Sequence, residues 1–332
     1  MNKFEDIIGQ EQIRDYLFGN IQSGQIAHAY MLSGENHSGK GYIADIFAAS
    51  LQCEDEAADN RPCGKCHSCI QAASNNHPDI IHVTHEKPNT ISVEDVREQV
   101  IADINIKPYN GRYKVYIIPE AEKMTVEAQN ALLKTLEEPP EYAVIVLLTS
   151  NPSIMLQTII SRCVRLTMKP VDEELLVKYL MKELKIPDYK AKTCASFARG
   201  NLGRARELAE NDDFALLKEK VLQILKHVRN MDISDTLDAI DILIEHKINI
   251  EDILEMFNVF FRDVLMYKST KDRDALIFSE EAELIEKVAE SSYEGIKGSL
   301  DAVRKTKMRL KANVNYEVVV ELMLYNIKEN LK

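Results

Sequence analysis

Residues Tyr30–Gly41 read YMLSGENHSGKG, and the fold of the first half of the chain turns on them. Tyr30, Met31 and Leu32 have the character of the end of a buried strand. Gly34 to Lys40, GENHSGK, fits the pattern G-x-x-x-x-G-K of a phosphate-binding loop. Ile43, Ile46 and Phe47 follow at helical spacing. Strand, glycine loop and helix in that order are the setting such a loop requires. The glycines let backbone N–H groups curl around phosphate oxygens, the helix N-terminus adds partial positive charge, and the lysine reaches the outer phosphates. One position departs from the pattern: Gly41 stands where a hydroxyl would hold Mg²⁺. The loop keeps its anion cradle and loses a metal ligand. The competing reading is a glycine turn that carries a surface lysine.

The length of 332 residues suits two or three domains with substantial cores. A net charge of −12 argues against broad nonspecific DNA binding, which needs basic surface to displace counterions. Contact with nucleic acid would have to be local or made through partners. The longest apolar run, Tyr142–Leu148, falls far short of the roughly 20 residues that span a bilayer. The opening MNKFEDIIGQ has no signal-peptide core. The expectation is a soluble, cytoplasmic chain with no membrane partner.

Four of the six cysteines cluster as Cys53-x9-Cys63-x2-Cys66-x2-Cys69. In a reducing compartment such a cluster points to a metal site more than to a disulfide framework. Four thiolates suit tetrahedral Zn²⁺, and the short gaps let the turn backbone wrap the ion. A closed four-sulfur shell leaves no open position, so the expected role is structural. Free or oxidisable thiols are the alternative. His67 and His77 read as surface or hydrogen-bonding residues, and Cys163 and Cys194 as packing residues.

Before the loop, Ile13, Leu17 and Ile21 mark a helix ending near Gly24. After the cysteines, strands are expected at Asp79–Thr84, Lys114–Ile118, Tyr142–Leu148 and Val164–Leu166. Ser92 heads a capped helix with Val96, Val100 and Ile104 on one face. Ala121–Leu136 is expected as one helix, stopped by Pro139 and Pro140, and Ile154–Ile160 as a short one. Alternating strands and helices argue for a mostly parallel, doubly wound sheet. From Lys169-Pro170 onward the pattern is helical, with breaks at Pro187 and at Gly200–Gly203. Long amphipathic helices fill the rest. The cations Arg304, Lys305, Lys307, Arg309 and Lys311 read as a solvated face.

Taken in order, GENHSGKG, the four-cysteine insert, KVYIIPEAEKM, NALLKTLEEPP, TSN, SRC and GNLGRA resemble a bacterial clamp-loader subunit of the AAA+ ATPase family. The resemblance covers residues 1–210 by motif, and NALLKTLEEPP (Asn130–Pro140) and SRC are its most specific parts. It implies an α/β P-loop ATPase-like domain over 1–168 with the zinc insert at 53–69, a small helical lid over 169–208, and an all-α collar over 209–332. It also implies a hetero-oligomeric ring with gamma/tau and delta subunits, which places a sliding clamp on primed DNA.

Within that family some subunits hydrolyse ATP and one type does not. Gly41 replaces the Ser/Thr of the loop, and Pro119 stands where the family carries its Mg²⁺-binding aspartate. Glu120, at the position that would polarise water, is retained. Loss of both metal ligands implies a non-hydrolysing subunit, with weak ATP or ADP binding through Gly34, Gly39 and Lys40 left open. A gamma/tau-like motor is the alternative. By the same resemblance Arg162 of SRC is an arginine finger reaching a neighbour's nucleotide in trans, against an arginine that ties down a strand end internally. Arg204 matches the second sensor arginine, or is structural. Thr149 and Asn151 match the first sensor region at a strand end, or cap the next helix.

Overall fold

Strand β4 (Ala143–Thr149), AVIVLLT, is buried along its whole length. A continuous aliphatic run of this kind has to be covered on both faces, as central strands of parallel sheets are. In the computed structural model it lies between β3 (Lys114–Ile118) and β1 (Ala29–Ser33), with β2 (Ile80–His82) and β5 (Val164–Thr167) at the edges. The order is β2-β3-β4-β1-β5 and every pairing is parallel. This is the doubly wound sheet expected from the sequence. The structure describes residues 3–246 and 250–331; residues 1, 2 and 332, at the ends of the expected domain ranges, lie outside them.

Successive strand residues point to opposite faces. Tyr30, Leu32, Val115, Ile117, Val144, Val146 and Leu148 therefore pack on one side, against α1 (Glu11–Ser23) and α2 (Lys40–Gln52). Ala29, Met31, Tyr116, Ile118, Ala143, Ile145 and Leu147 pack on the other. That second face is covered by α4 (Val93–Val96, which runs on as a wider turn to Ile101), α5 (Val126–Glu137) and α6 (Gln157–Ile160). Helix α3 (His67–Ala73) belongs to the cysteine insert. Gly24 ends α1 with φ 70°, a left-handed stop that glycine adopts without steric cost. Ser92 and Asp95 cap α4 reciprocally.

Two helices differ from expectation. Ala121–Lys123 is only a tight turn, Met124 is extended, and α5 starts at Val126. The reason is local: the Thr125 hydroxyl accepts the Ala128 N–H at 3.2 Å and so sets the helix start there. The stretch from Pro152 to Ile160 is a tight turn, Pro152–Ile154, followed by α6. Asn151 accepts the Ser153 N–H at 3.2 Å and heads that turn.

Two compact units result. The first holds residues up to Leu175 together with Gly200–Arg204; the second holds Leu176–Arg199 and the chain from Ala205. The elements that follow the sheet are α7 (Glu173–Glu183), α8 (Asp188–Ala198), α9 (Leu202–Glu210), α10 (Asp212–His227), α11 (Ile233–Glu245), α12 (Ile250–Thr270), α13 (Ala282–Val288), α14 (Tyr293–Lys311) and α15 (Tyr316–Asn330). Among the described residues no strand follows β5. The second unit's core is aromatic, with Phe197, Phe257, Phe260, Phe261 and Phe278 fully buried. No described helix is long and apolar enough to cross a membrane.

Candidate functional site

The glycine loop sits at the C-terminal ends of β1 and β4, the edge where open α/β sheets bind ligands. The Gly34 N–H donates to the Thr149 carbonyl at 3.1 Å, so the loop leaves β1 while still tied to β4. Gly39 turns into α2 with φ 93°, which a side chain would strain. Lys40 is the first residue of the helix. Its ammonium donates to the Gly34 carbonyl at 2.7 Å and to the Glu35 carbonyl at 2.6 Å. The lysine thus closes on its own loop. Burial lowers its pKa, opposed by the carboxylates of Glu122 and Glu35. Gly41 has open space where a side chain would project. The missing hydroxyl is a chemical absence there, with no steric demand behind it.

Pro119 ends the buried run of β3, and Glu120 follows in a left-handed conformation, φ 48°. Its carboxylate pairs with Lys123 at 2.7 Å and with His85 at 3.4 Å. The next acid, Glu122, is tied to the end of β4. It accepts the Ser150 N–H at 3.1 Å and the Ser150 hydroxyl, at the end of β4. Burial works to raise its pKa, but the Ser150 hydroxyl and amide prevail and hold the carboxyl below its usual range. Its second oxygen is buried without a hydrogen bond. Thr149 is fully buried and accepts the Asn151 N–H at 3.1 Å.

Arg162 lies past α6 and is partly exposed. Its guanidinium meets Glu137 at 2.7 Å, in the NALLKTLEEPP helix, and donates to the Thr158 carbonyl at 2.9 Å. The two most specific motifs of the sequence therefore meet in one ion pair. Arg204 is exposed, and its amide donates to Asn201 at 3.2 Å. The residues of GNLGR that touch the phosphate loop are its neighbours. Buried Asn201 donates through Nδ2 to the Asn36 carbonyl at 2.7 Å, and the Gly203 N–H donates to the His37 carbonyl at 3.0 Å. Asn201, Gly203 and Glu122 were not singled out by sequence; the paired glycines of GNLGR were the available signal.

The four clustered cysteines come together as expected. Their sulfurs all lie within 4.8 Å of one another, and those of Cys63 and Cys69 are 3.9 Å apart. Four sulfurs each about 2.3 Å from a tetrahedral Zn²⁺ would sit roughly 3.8 Å from one another, so donor set and spacing fit the ion. Backbone amides point at the sulfurs: Cys63 N–H at Cys53, Lys65 and Cys66 N–H at Cys63, and Cys69 N–H at Cys66, each at 3.4 Å. The Lys65 and Cys66 amides hold the Cys63 thiol down at about 7, whereas burial pushes the Cys53 and Cys69 thiols up. Ser68, inside the insert, is fixed by Glu54, which accepts its hydroxyl at 2.8 Å. His67 and His77 stand outside the cluster.

Residues 9–172 match the family model described as "DNA polymerase III, delta subunit", and residues 213–329 match its C-terminal counterpart. The chain is 30% identical to the DNA polymerase III subunit delta′ of Bacillus subtilis, over 96% of each chain. The chain belongs to the DNA polymerase III delta-prime family. Relatives in the same clamp-loader group are the B. subtilis subunit tau, 29% identical over 98% of this chain, and the Haemophilus influenzae subunit tau/gamma, 33% identical over 72% of it. The chain spans only 61% and 34% of the length of those two, against 96% of the delta-prime subunit. In this delta-prime family member the phosphate-type loop lies at the C-terminal ends of the strands and the cysteine cluster beyond the far end of α2.

Proposed function

We propose that this chain is the non-hydrolysing subunit of a DNA polymerase III clamp loader. It completes a ring with gamma/tau and delta subunits in the cytoplasm, and the ring sets a sliding clamp on primed DNA. Residues 1–168 act as the nucleotide-binding-like domain, 169–208 as a lid and 209–332 as the collar. The observation that carries the reading is the pair Gly41 and Pro119 at the two positions where a hydrolysing relative would present metal ligands. Mg²⁺ offsets charge on the transferring phosphoryl group, so its loss removes most hydrolysis. ATP or ADP at Gly34, Gly39 and Lys40 then binds weakly; Glu120, paired with Lys123 and His85, and exposed Arg204 would have to turn toward it to contribute.

Arg162 serves the neighbouring subunit. A guanidinium is always charged and rigid, and such fingers accelerate phosphoryl transfer by roughly 10³–10⁵ where measured. Its partial exposure, with Glu137 as its carboxylate partner among the described residues, leaves it able to swing onto a phosphate. The Cys53, Cys63, Cys66 and Cys69 thiolates hold a structural Zn²⁺, which supplies rigidity and no chemistry.

In the reconstituted complex, Arg162→Ala should lower ATP hydrolysis by at least an order of magnitude while this chain's melting temperature stays put. Full activity in an assembled complex would remove the finger role. The match to tau over nearly the whole chain favours a second reading, a hydrolysing gamma/tau-type subunit. Turnover by the isolated chain with Mg²⁺, abolished by Lys40→Ala, would establish it.

A further inference from the structure

We infer that Gly200–Arg204 is a latch on the phosphate loop, and that latch closure and nucleotide binding at that loop exclude one another. The inference rests on reading Gly34–Lys40 as a nucleotide loop, and it adds how access to that loop is controlled. The contacts run from outside the loop inward. Asn201 Nδ2 holds the Asn36 carbonyl at 2.7 Å, and the Gly203 N–H holds the His37 carbonyl at 3.0 Å. His37 is drawn into a left-handed conformation, φ 62°, a cost that ordinary residues accept only when neighbours fix them. Inside the loop, the Lys40 ammonium fills the concavity by donating to the Gly34 and Glu35 carbonyls.

The latch is built for close approach. A Cβ at Gly203 would stand 2.2 Å from the His37 carbonyl oxygen, so only glycine lets the two backbones meet. Gly200 is equally constrained: φ is +87°, and a Cβ there would lie 2.5 Å from that of Pro170. The Val171 N–H donates to the Gly200 carbonyl at 2.8 Å and anchors the segment to the end of the sheet domain. Asn201 is buried, and its oxygen accepts the Arg204 N–H at 3.2 Å, so its amide is aimed before it meets the loop. A phosphate can enter only if Lys40 leaves the loop carbonyls and the loop widens. Widening moves the Asn36 and His37 carbonyls, which the latch holds in place. Two states that compete for one loop are linked: where the latched state predominates, whatever weakens the latch strengthens nucleotide binding, at most by the same factor.

The test is nucleotide affinity of the full chain, measured with ADP and Mg²⁺ by calorimetry. Each lost hydrogen bond is expected to raise affinity about two- to tenfold. Asn201→Ala removes one contact, and Gly203→Ala pushes the loop off by sterics. The gain must vanish when Lys40→Ala is added, which places it at this loop. Unchanged or weaker affinity in a folded Asn201→Ala chain overturns the latch. Amide exchange in the native chain provides a readout that needs no variant. The Gly203 amide should exchange slowly, and exchange there at the rate of an exposed turn would also overturn the latch. Neither readout depends on Arg162 or on ring assembly, so the latch and the proposed function can fail separately.

Discussion

The phosphate loop and the cysteine centre are both dense motifs, yet they have kept different things. The cysteine centre has a full set of donors, with the sulfurs within 4.8 Å of one another and four amides directed at them. The loop has kept its path, its glycines and its lysine, but Gly41 and Pro119 have replaced the groups that would hold a metal. Backbone geometry therefore outlasts chemistry where the fold leans on it. The loop is the joint between β1 and α2, so its conformation has a structural use apart from any chemistry at the site.

If the contrast is real, removing metal should have the largest effect. Structural zinc sites in finger peptides are worth about 10–16 kcal/mol in apparent binding energy. Chelation, or Cys63→Ser with Cys66→Ser, should abolish about one equivalent of bound zinc and unfold the segment around α3, followed by metal analysis and circular dichroism. A metal-free chain with an unchanged melting curve would erase the contrast. A smaller effect concerns pH. Ligand thiols must lose protons to bind, and the Cys63 thiol sits near about 7 while burial raises Cys53 and Cys69. Zinc retention against a competing chelator should therefore strengthen as pH rises and weaken as pH falls through about 7. Retention independent of pH across that window would contradict the donor set.

On the loop side the effects shrink. Gly41→Ser with Pro119→Asp supplies both metal-ligand types and should raise Mg²⁺-dependent hydrolysis above that of the native chain. No gain would mean that the latch or Glu122 blocks the site independently of the metal. Gly41→Ser alone should leave the fold intact and stabilise α2 by about 0.5 kcal/mol, because serine is a better helix former than glycine and nothing crowds the side-chain position. A loss of stability on denaturant titration would show that this glycine has a packing role.

Much of this was legible in the sequence. The five strands stand out because each is a short aliphatic run between turn signals, and the four cysteines because their spacing is itself the chemistry. What was hidden depends on contacts between distant positions. Nothing local in PEAEK says that Glu120 will pair with Lys123 and His85 while Glu122 bonds Ser150. Asp79 reads as the start of a strand, yet its buried carboxylate gathers the N–H groups of Tyr109, Asn110 and Gly111 at 2.7, 3.0 and 3.2 Å. Helix starts were misplaced where a single side-chain cap decided them, as Thr125 does for α5.

Helix α2 begins at Lys40 and ends at Gln52, one residue before Cys53. At 1.5 Å per residue its 13 residues make a rod of roughly 20 Å. From Ile46 to Gln52 every residue is buried, and the Gln52 amide clasps the Tyr113 carbonyl at 2.6 Å. One end of this beam is the phosphate loop's lysine, and the other is bolted to the first sulfur of the cluster. A beam seated so firmly cannot slide or roll at one end alone. The loop lysine and the first cysteine are thus the two ends of one buried rod, and anything that displaces one end is carried along it to the other.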